Sequence, residues 1–252
     1  ANSRIKFVNS LNQCTDSNNC AFFVQRRAKL SVKSEVFFSI IIPSYNRASL
    51  LPALFEMYAS QGFQDFELIL VDDGSTDDTA VVCESYKKLP INYSFQKNAE
   101  RGAARNHGVN LASGQYVFFM DSDDRVDSGF LEEAHALIQK HANPEWAHLR
   151  FDTINEHAQA LYEKPIIDSS IQDKLLDRNY LAAACFLRID IAREFQFSEN
   201  RSFNFGEDWY LWLRLSRRFP LRFSNTIHYH QLRESTRSDL NAASPESLEE
   251  NM

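Results

Sequence analysis

The feature that most restricts how this chain can fold is a junction that occurs twice, in which a short apolar run drives straight into aspartates. Phe66–Val71 runs into Asp72, Asp73 and Gly74, and Tyr116–Met120 runs into Asp121, Ser122, Asp123 and Asp124. Runs of β-branched and aromatic residues without polar alternation read as strands covered on both faces, which demands helices on both sides of a sheet. Ligand sites in open α/β sheets lie at the carboxyl ends of strands, where both groups of acids fall. Three carboxylates within four positions repel one another unless a cation sits among them, and all-oxygen donors suit Mg²⁺ or Mn²⁺. The competing reading is an Asp-rich turn that caps the following helix.

The rest of the chain supplies the expected alternation. Val36–Ile42 is a strand ended by Pro43, and Leu50, Leu51, Leu54, Phe55 and Tyr58 follow at helical spacing, closed by Gly62. After the second strand, Ser75 or Thr76 is expected to cap a helix carrying Asp77 and Asp78 in its first turn and ended by Pro90. Ile91–Phe95 is a third strand and Arg101–Leu111 a third helix, capped by Gly114. A helix over 128–141 follows the opening strand. Beyond Asn143 the spacing predicts strands over 146–151 and 159–163, a helix over 171–179, an apolar run over 181–188, a helix over 207–217 and a last strand over 221–229. Alternation at these lengths implies an α/β fold with a mostly parallel central sheet flanked by helices, in a single domain.

We divide the chain into an extension (1–35), a domain (36–237) with a nucleotide-binding half (36–127) and an acceptor half (128–237), and a polar tail (238–252) expected to be flexible. The 252 residues are 44% hydrophobic, enough for one large core. A net charge of −7 leaves no global basic surface for nucleic acid. Residues 1–35 hold six basic against two acidic side chains, a net of +4, so this extension is a candidate for peripheral membrane contact. Cys14, Cys20, Cys83 and Cys185 lack the spacing of a zinc site and read as reduced thiols. No run is long enough to cross a bilayer and no signal peptide is visible, which points to a cytoplasmic protein, if need be at the inner face of the membrane. The missing initial Met suggests a piece of a longer protein.

Five stretches together resemble the signatures of inverting family-two glycosyltransferases with the Rossmann-like GT-A fold. They are Pro43-Ser44-Tyr45-Asn46-Arg47, Val71 to Asp77, Asn98 to Gly108, Asp121-Ser122-Asp123-Asp124 and Gly206-Glu207-Asp208-Trp209-Tyr210. The resemblance spans about 37–237 and implies a metal-dependent hexosyltransferase that uses a nucleotide sugar, most simply a UDP-sugar. Its acceptor would be a hydroxyl of a glycan or glycolipid in cell-surface polysaccharide synthesis. Under it, Pro43, Tyr45, Asn46, Asp72, Asp73, Arg105, Asp121, Ser122 and Asp123 bind the nucleotide sugar. Asp121 and Asp123 become the two acids of the DxD motif, with Asp123 and His230 as ligands of Mn²⁺ or Mg²⁺ and Asp124 a helix-capping neighbour. Asp208 becomes the general base, with Glu207 and Trp209 supporting the site or binding acceptor. His230 lies in a run that departs from the family's usual His and Ser-x-Ser spacing, and two plain surface histidines, His228 and His230, are the alternative.

Two other classes compete. Leu70-Val71-Asp72-Asp73 also resembles the acidic pair of phospho-accepting receiver domains, but a receiver is about half this length and has no place for Glu207-Asp208. A catalytically inactive GT-A domain retained for binding is the other.

Overall fold

The computed structural model describes residues 36–155, 157–162, 166–182, 184–200 and 206–232. The basic extension and the polar tail lie outside the described residues.

The chain runs β1 (Phe38–Ser44), α1 (Leu51–Ala59), β2 (Phe66–Asp72), α2 (Thr79–Ser85), β3 (Ile91–Phe95), α3 (Glu100–Leu111) and β4 (Tyr116–Phe119). It continues through β5 (Arg125–Val126), α4 (Phe130–Lys140), β6 (Trp146–Ile154), β7 (Ala160–Tyr162), α5 (Ile171–Lys174) and β8 (Cys185–Arg188). It closes with α6 (Ile189–Glu194), α7 (Glu207–Ser216) and β9 (Arg222–Leu232). One sheet joins all the strands in the order β3-β2-β1-β4-β8-β6-β9-β5, with β7 paired to β6. β1, β2, β3, β4, β6 and β9 point one way, and β5, β7 and β8 run against them. The sheet is therefore mostly parallel, as the alternation of runs and helices implied.

Period-two alternation sorts each strand between two cores. Ile40, Ile42, Leu68, Leu70 and Phe118 face α1 and α4. Ile41, Ile69, Val71, Val117 and Phe119 face α3, α6 and α7. Both faces of the sheet are covered, which is why these runs are apolar throughout.

Register sets the site. Ser44 pairs with Asp72 across β1 and β2, and Met120 N–H donates to Ile41 O just past the end of β4. Three strands thus deliver their following loops to one edge of the sheet.

Several local expectations are corrected. Helix α2 starts at Thr79, after Asp77 and Asp78, because the Asp77 carboxylate accepts from Thr79 N–H and reaches across to Ala48 N–H. The helix expected over 171–179 stops at Lys174, and Leu175 O accepts instead from the Trp209 indole. Gly114 does not cap α3, whose C-cap is Ala112. A Cβ on Gly114 would stand 2.7 Å from Ser39 N, so close backbone approach explains this glycine. Strand β5 and helix α6 went unpredicted, since two residues and six residues carry too little periodicity to register.

Helix α3 lies close on β1 because Gly108 has no side chain: a Cβ there would stand 2.3 Å from Ile41 Cγ2. Gly108→Ala should destabilise the fold by about 1–3 kcal/mol through overpacking, despite alanine's better helix propensity. Urea unfolding monitored by circular dichroism measures this; an unchanged or raised midpoint contradicts the close approach.

Candidate active site

The three strand-end loops enclose a cleft of about 220 Å³ lined by Pro43, Ser44, Tyr45 and Arg47 after β1, Asp73 after β2, and Asp121, Ser122 and Asp123 after β4. Asn98, Glu100, Arg101 and Ala104, at the head of α3, complete its wall. The loops are tied to one another by hydrogen bonds. Asn46 N–H donates to Ser75 Oγ at 2.9 Å, and Asn46 Oδ1 accepts from Thr76 N–H at 2.8 Å. Asn46 holds φ at +52°, a left-handed conformation that asparagine tolerates. It braces the loop rather than lining the cleft.

The two acids after β2 divide their work. Asp72 is buried below the cleft, accepting from Ser75 N–H at 2.8 Å and the Tyr93 hydroxyl at 2.8 Å. Asp73 lines the cleft, and its Oδ1 accepts from Ala99 N–H at 2.8 Å and the Gln96 amide at 2.7 Å. Tyr45 stands 51% exposed on the rim, an open aromatic face beside these polar groups.

Asp121, Asp123 and Asp124 each offer one carboxylate oxygen within 4.8 Å of the others. Among the described residues this is the single such group of His, Cys, Asp and Glu side chains. Its donors are all oxygen, matching Mg²⁺ or Mn²⁺, and the close acids meet the electrostatic condition for a cation. Asp124 is not a helix cap. It is buried, accepts from the Tyr229 hydroxyl and from Leu232 N–H, and pins β9 to the motif. Burial and then the charges of Asp121 and Asp123 push its pKa well up. His230 is not brought into the acid group: its Nδ1 lies 2.6 Å from Asp152 Oδ1 and its Nε2 3.3 Å from Asp127 Oδ1. His228 sits nearby, Nδ1 3.6 Å from Asp127 Oδ2.

Arg105 is 2% exposed and does not line the cleft. Its guanidinium donates at 2.8 Å to Asp121 and at 2.7 Å to Glu207, joining a cleft wall to the head of α7. Glu207 is thereby consumed as a buried partner. The next residue, Asp208, accepts from Trp209 N–H on Oδ1 at 2.8 Å and from the Asn179 amide on Oδ2 at 2.9 Å. Burial, then the neighbouring Glu207 charge, push Asp208 up to about 6, against the opposing pull of Arg105. Trp209 is buried, with its indole N–H donating to Leu175 O, and so belongs to the support of α7.

Sequence reasoning missed Arg47, Glu100 and Arg101 as cleft residues, although all three fall inside or beside the motifs it singled out. It also missed Asn179, which no local pattern marks.

The glycosyl transferase family 2 model matches residues 39–188. A Campylobacter jejuni GalNAc(5)-diNAcBac-PP-undecaprenol beta-1,3-glucosyltransferase is 32% identical over 192 residues, covering 70% of this chain and 59% of that protein. The Staphylococcus aureus poly(ribitol-phosphate) beta-N-acetylglucosaminyltransferase TarS is 35% identical over 109 residues, 41% of this chain and 19% of the relative. The crystal structure of TarS residues 1–349 in complex with UDP-GlcNAc superposes with a TM-score of 0.68 at 22% identity, over 82% of this chain and 61% of that one. The chain thus spans less than two thirds of each of these relatives.

Removing the cation from the Arg105 bridge leaves Glu207 buried beside Asp208 with, among the described residues, the more distant Arg101, at 3.7 Å, to offset it. Arg105→Met should cost about 3 kcal/mol or more of stability in urea titrations, because an uncompensated buried charge is expensive. A variant as stable as the parent contradicts the bridge.

Proposed function

The chain belongs to glycosyl transferase family 2, and on that premise we propose a metal-dependent inverting transferase that moves a sugar from a nucleotide sugar, most simply a UDP-sugar, to a hydroxyl. The observation that carries the reading is the convergence of the loops after β1, β2 and β4 on one cleft, with an open aromatic face, buttressed acids and an all-oxygen donor group. The acceptor is read as a glycan or glycolipid, because the Campylobacter relative is named for an undecaprenol-linked acceptor and the Staphylococcus one for poly(ribitol-phosphate). Among the described residues no helix is long and apolar enough to cross a membrane. The basic residues 1–35 would then serve peripheral contact with the surface bearing such an acceptor.

In this reading Tyr45 packs against the base, and Asp73, held by Ala99 and Gln96, accepts from the base or ribose. Arg47 and Arg101 bring positive charge to a wall whose other charged residues, Asp73, Glu100, Asp121 and Asp123, are all acidic. Asp123 would ligate a divalent cation with Asp121 and Asp124 beside it, and the bound cation would neutralise charge on the departing nucleoside diphosphate. Asp208 takes the proton from the acceptor hydroxyl as its oxygen attacks the anomeric carbon on the face opposite the leaving group. A carboxyl with its pKa near 6 is mostly ionised at neutral pH, yet more basic than an ordinary aspartate, which favours proton abstraction.

Asp208→Asn should abolish transfer and leave UDP affinity intact by calorimetry; substantial turnover in that variant removes the base assignment. Because the base works ionised, the parent's transfer rate should rise with pH through about 6 and fall about tenfold per unit well below it. A pH-independent rate between 5 and 7 (about one unit either side of that pKa) speaks against Asp208.

UDP should raise the melting temperature more with Mn²⁺ than without, and Asp123→Ala should erase the difference. An unchanged Mn²⁺ response in Asp123→Ala refutes that ligand.

A further inference from the structure

We propose that Asn179 is a positioning residue for Asp208, holding the carboxylate at the orientation from which it accepts the acceptor's proton. The inference deepens the reading of Asp208 as base and rests on it. Asn179 sits in the segment between α5 and β8, and its amide nitrogen donates to Asp208 Oδ2 at 2.9 Å. Its carbonyl oxygen accepts from the N–H groups of Leu181 at 3.3 Å and Ala182 at 3.1 Å. Those two bonds fix which end of the amide faces Asp208, so the donor role follows from the turn itself.

The turn is in its own right bolted to α7, the helix that carries Asp208. The Trp209 indole donates to Leu175 O at 2.7 Å and the Trp212 indole to Ala182 O at 2.7 Å, one on each side of Asn179. Ala182 holds φ at +42°, a left-handed conformation costly for alanine, and the bonds around it maintain that geometry. With Trp209 N–H on Oδ1 and Asn179 on Oδ2, both oxygens of Asp208 are oriented, and the carboxylate plane cannot turn without breaking a bond.

Among the described residues, the other titratable or charged groups acting on Asp208 include Glu207 on its own helix, Arg105 from α3 and Cys185 from β8. Burial and the nearby Asp208 hold Cys185 well up, as a neutral thiol. Arg105 and Asn179 both favour the charged carboxylate, while burial and Glu207 oppose it. Loss of the amide donor must therefore raise the pKa of Asp208.

The test uses the full chain and two variants, Asn179→Ala and Asn179→Ser. Serine keeps an oxygen for the Leu181 and Ala182 N–H groups but is too short to reach Asp208, so it separates folding of the turn from orientation of the carboxylate. Carbon-13 NMR follows the Asp208 carboxyl through pH, with Asp208→Asn identifying the resonance, and calorimetry measures UDP affinity with Mn²⁺. The expected result is an upward shift of the Asp208 midpoint in the Ser variant at unchanged UDP affinity, since Asn179 is absent from the nucleotide cleft. An unmoved midpoint in Asn179→Ser, with the variant folded, overturns the proposal even if Asp208→Asn is inactive. Turnover by Asp208→Asn with the nucleotide sugar that stabilises the parent most would overturn the base reading instead, whatever the NMR shows.

Discussion

The Arg105 guanidinium ties the acids after β4 to the head of α7. It is almost wholly buried, and it exists there as a cation because Glu207 accepts from Nη1 and Asp121 from Nη2. A buried charge without such partners would cost several kcal/mol, so the three side chains hold or fail together. The bridge needs α3 close to the sheet and to the 197–199 segment. Small residues supply this: a Cβ on Gly102 would stand 2.3 Å from Ser198 O, and one on Gly108 would meet Ile41. The spacing of glycine and alanine on α3 is thus the steric precondition for an electrostatic link between the acids after β4 and the head of α7.

Around that link, the acids after β2 are held by their neighbours. Asp72 and Asp73 are both buried; Asp72 accepts from Ser75 N–H and the Tyr93 hydroxyl, and Asp73 Oδ1 from Ala99 N–H and the Gln96 amide. Ser75, Thr76 and Asp77 bond across to the loop after β1. A ligand entering such a cleft meets walls whose rotamers are set, which lowers the ordering cost of binding. The acids after β4 are different, since Asp121, Asp123 and Asp124 each offer a carboxylate oxygen within 4.8 Å of the others, with Arg105, Tyr229 and Leu232 among their partners. That clustering of all-oxygen donors is what makes this strand end, rather than the one after β2, suited to a cation.

Asp208 sits in a third kind of environment. Its neighbours pull in opposite directions, burial and Glu207 upward and Arg105 and Asn179 downward, and the balance falls near neutrality. The indoles of Trp209 and Trp212 hold the segment that brings Asn179 to it.

The amino-acid sequence by itself determined the α/β class, the strand cores and the strand ends that carry acids, because burial on both faces forces apolar runs and chain-local turns follow them directly. Phe66–Val71 and Tyr116–Met120 could be read this way since every constraint on them acts over a few residues. It also marked Asp73, Asp121 and Asp123 as cleft residues, by type and by position after a strand. What only the tertiary structure decided depends on separations no local pattern records. Arg105 stands 102 residues from Glu207, Asp124 105 residues from Tyr229, and Asn179 29 residues from Asp208. Whether an arginine faces a phosphate or a buried glutamate, and whether an aspartate caps a helix or pins a distant strand, is settled by which partner reaches it when the sheet closes. Hydrogen bonds and ion pairs are short-ranged in space and indifferent to distance along the chain.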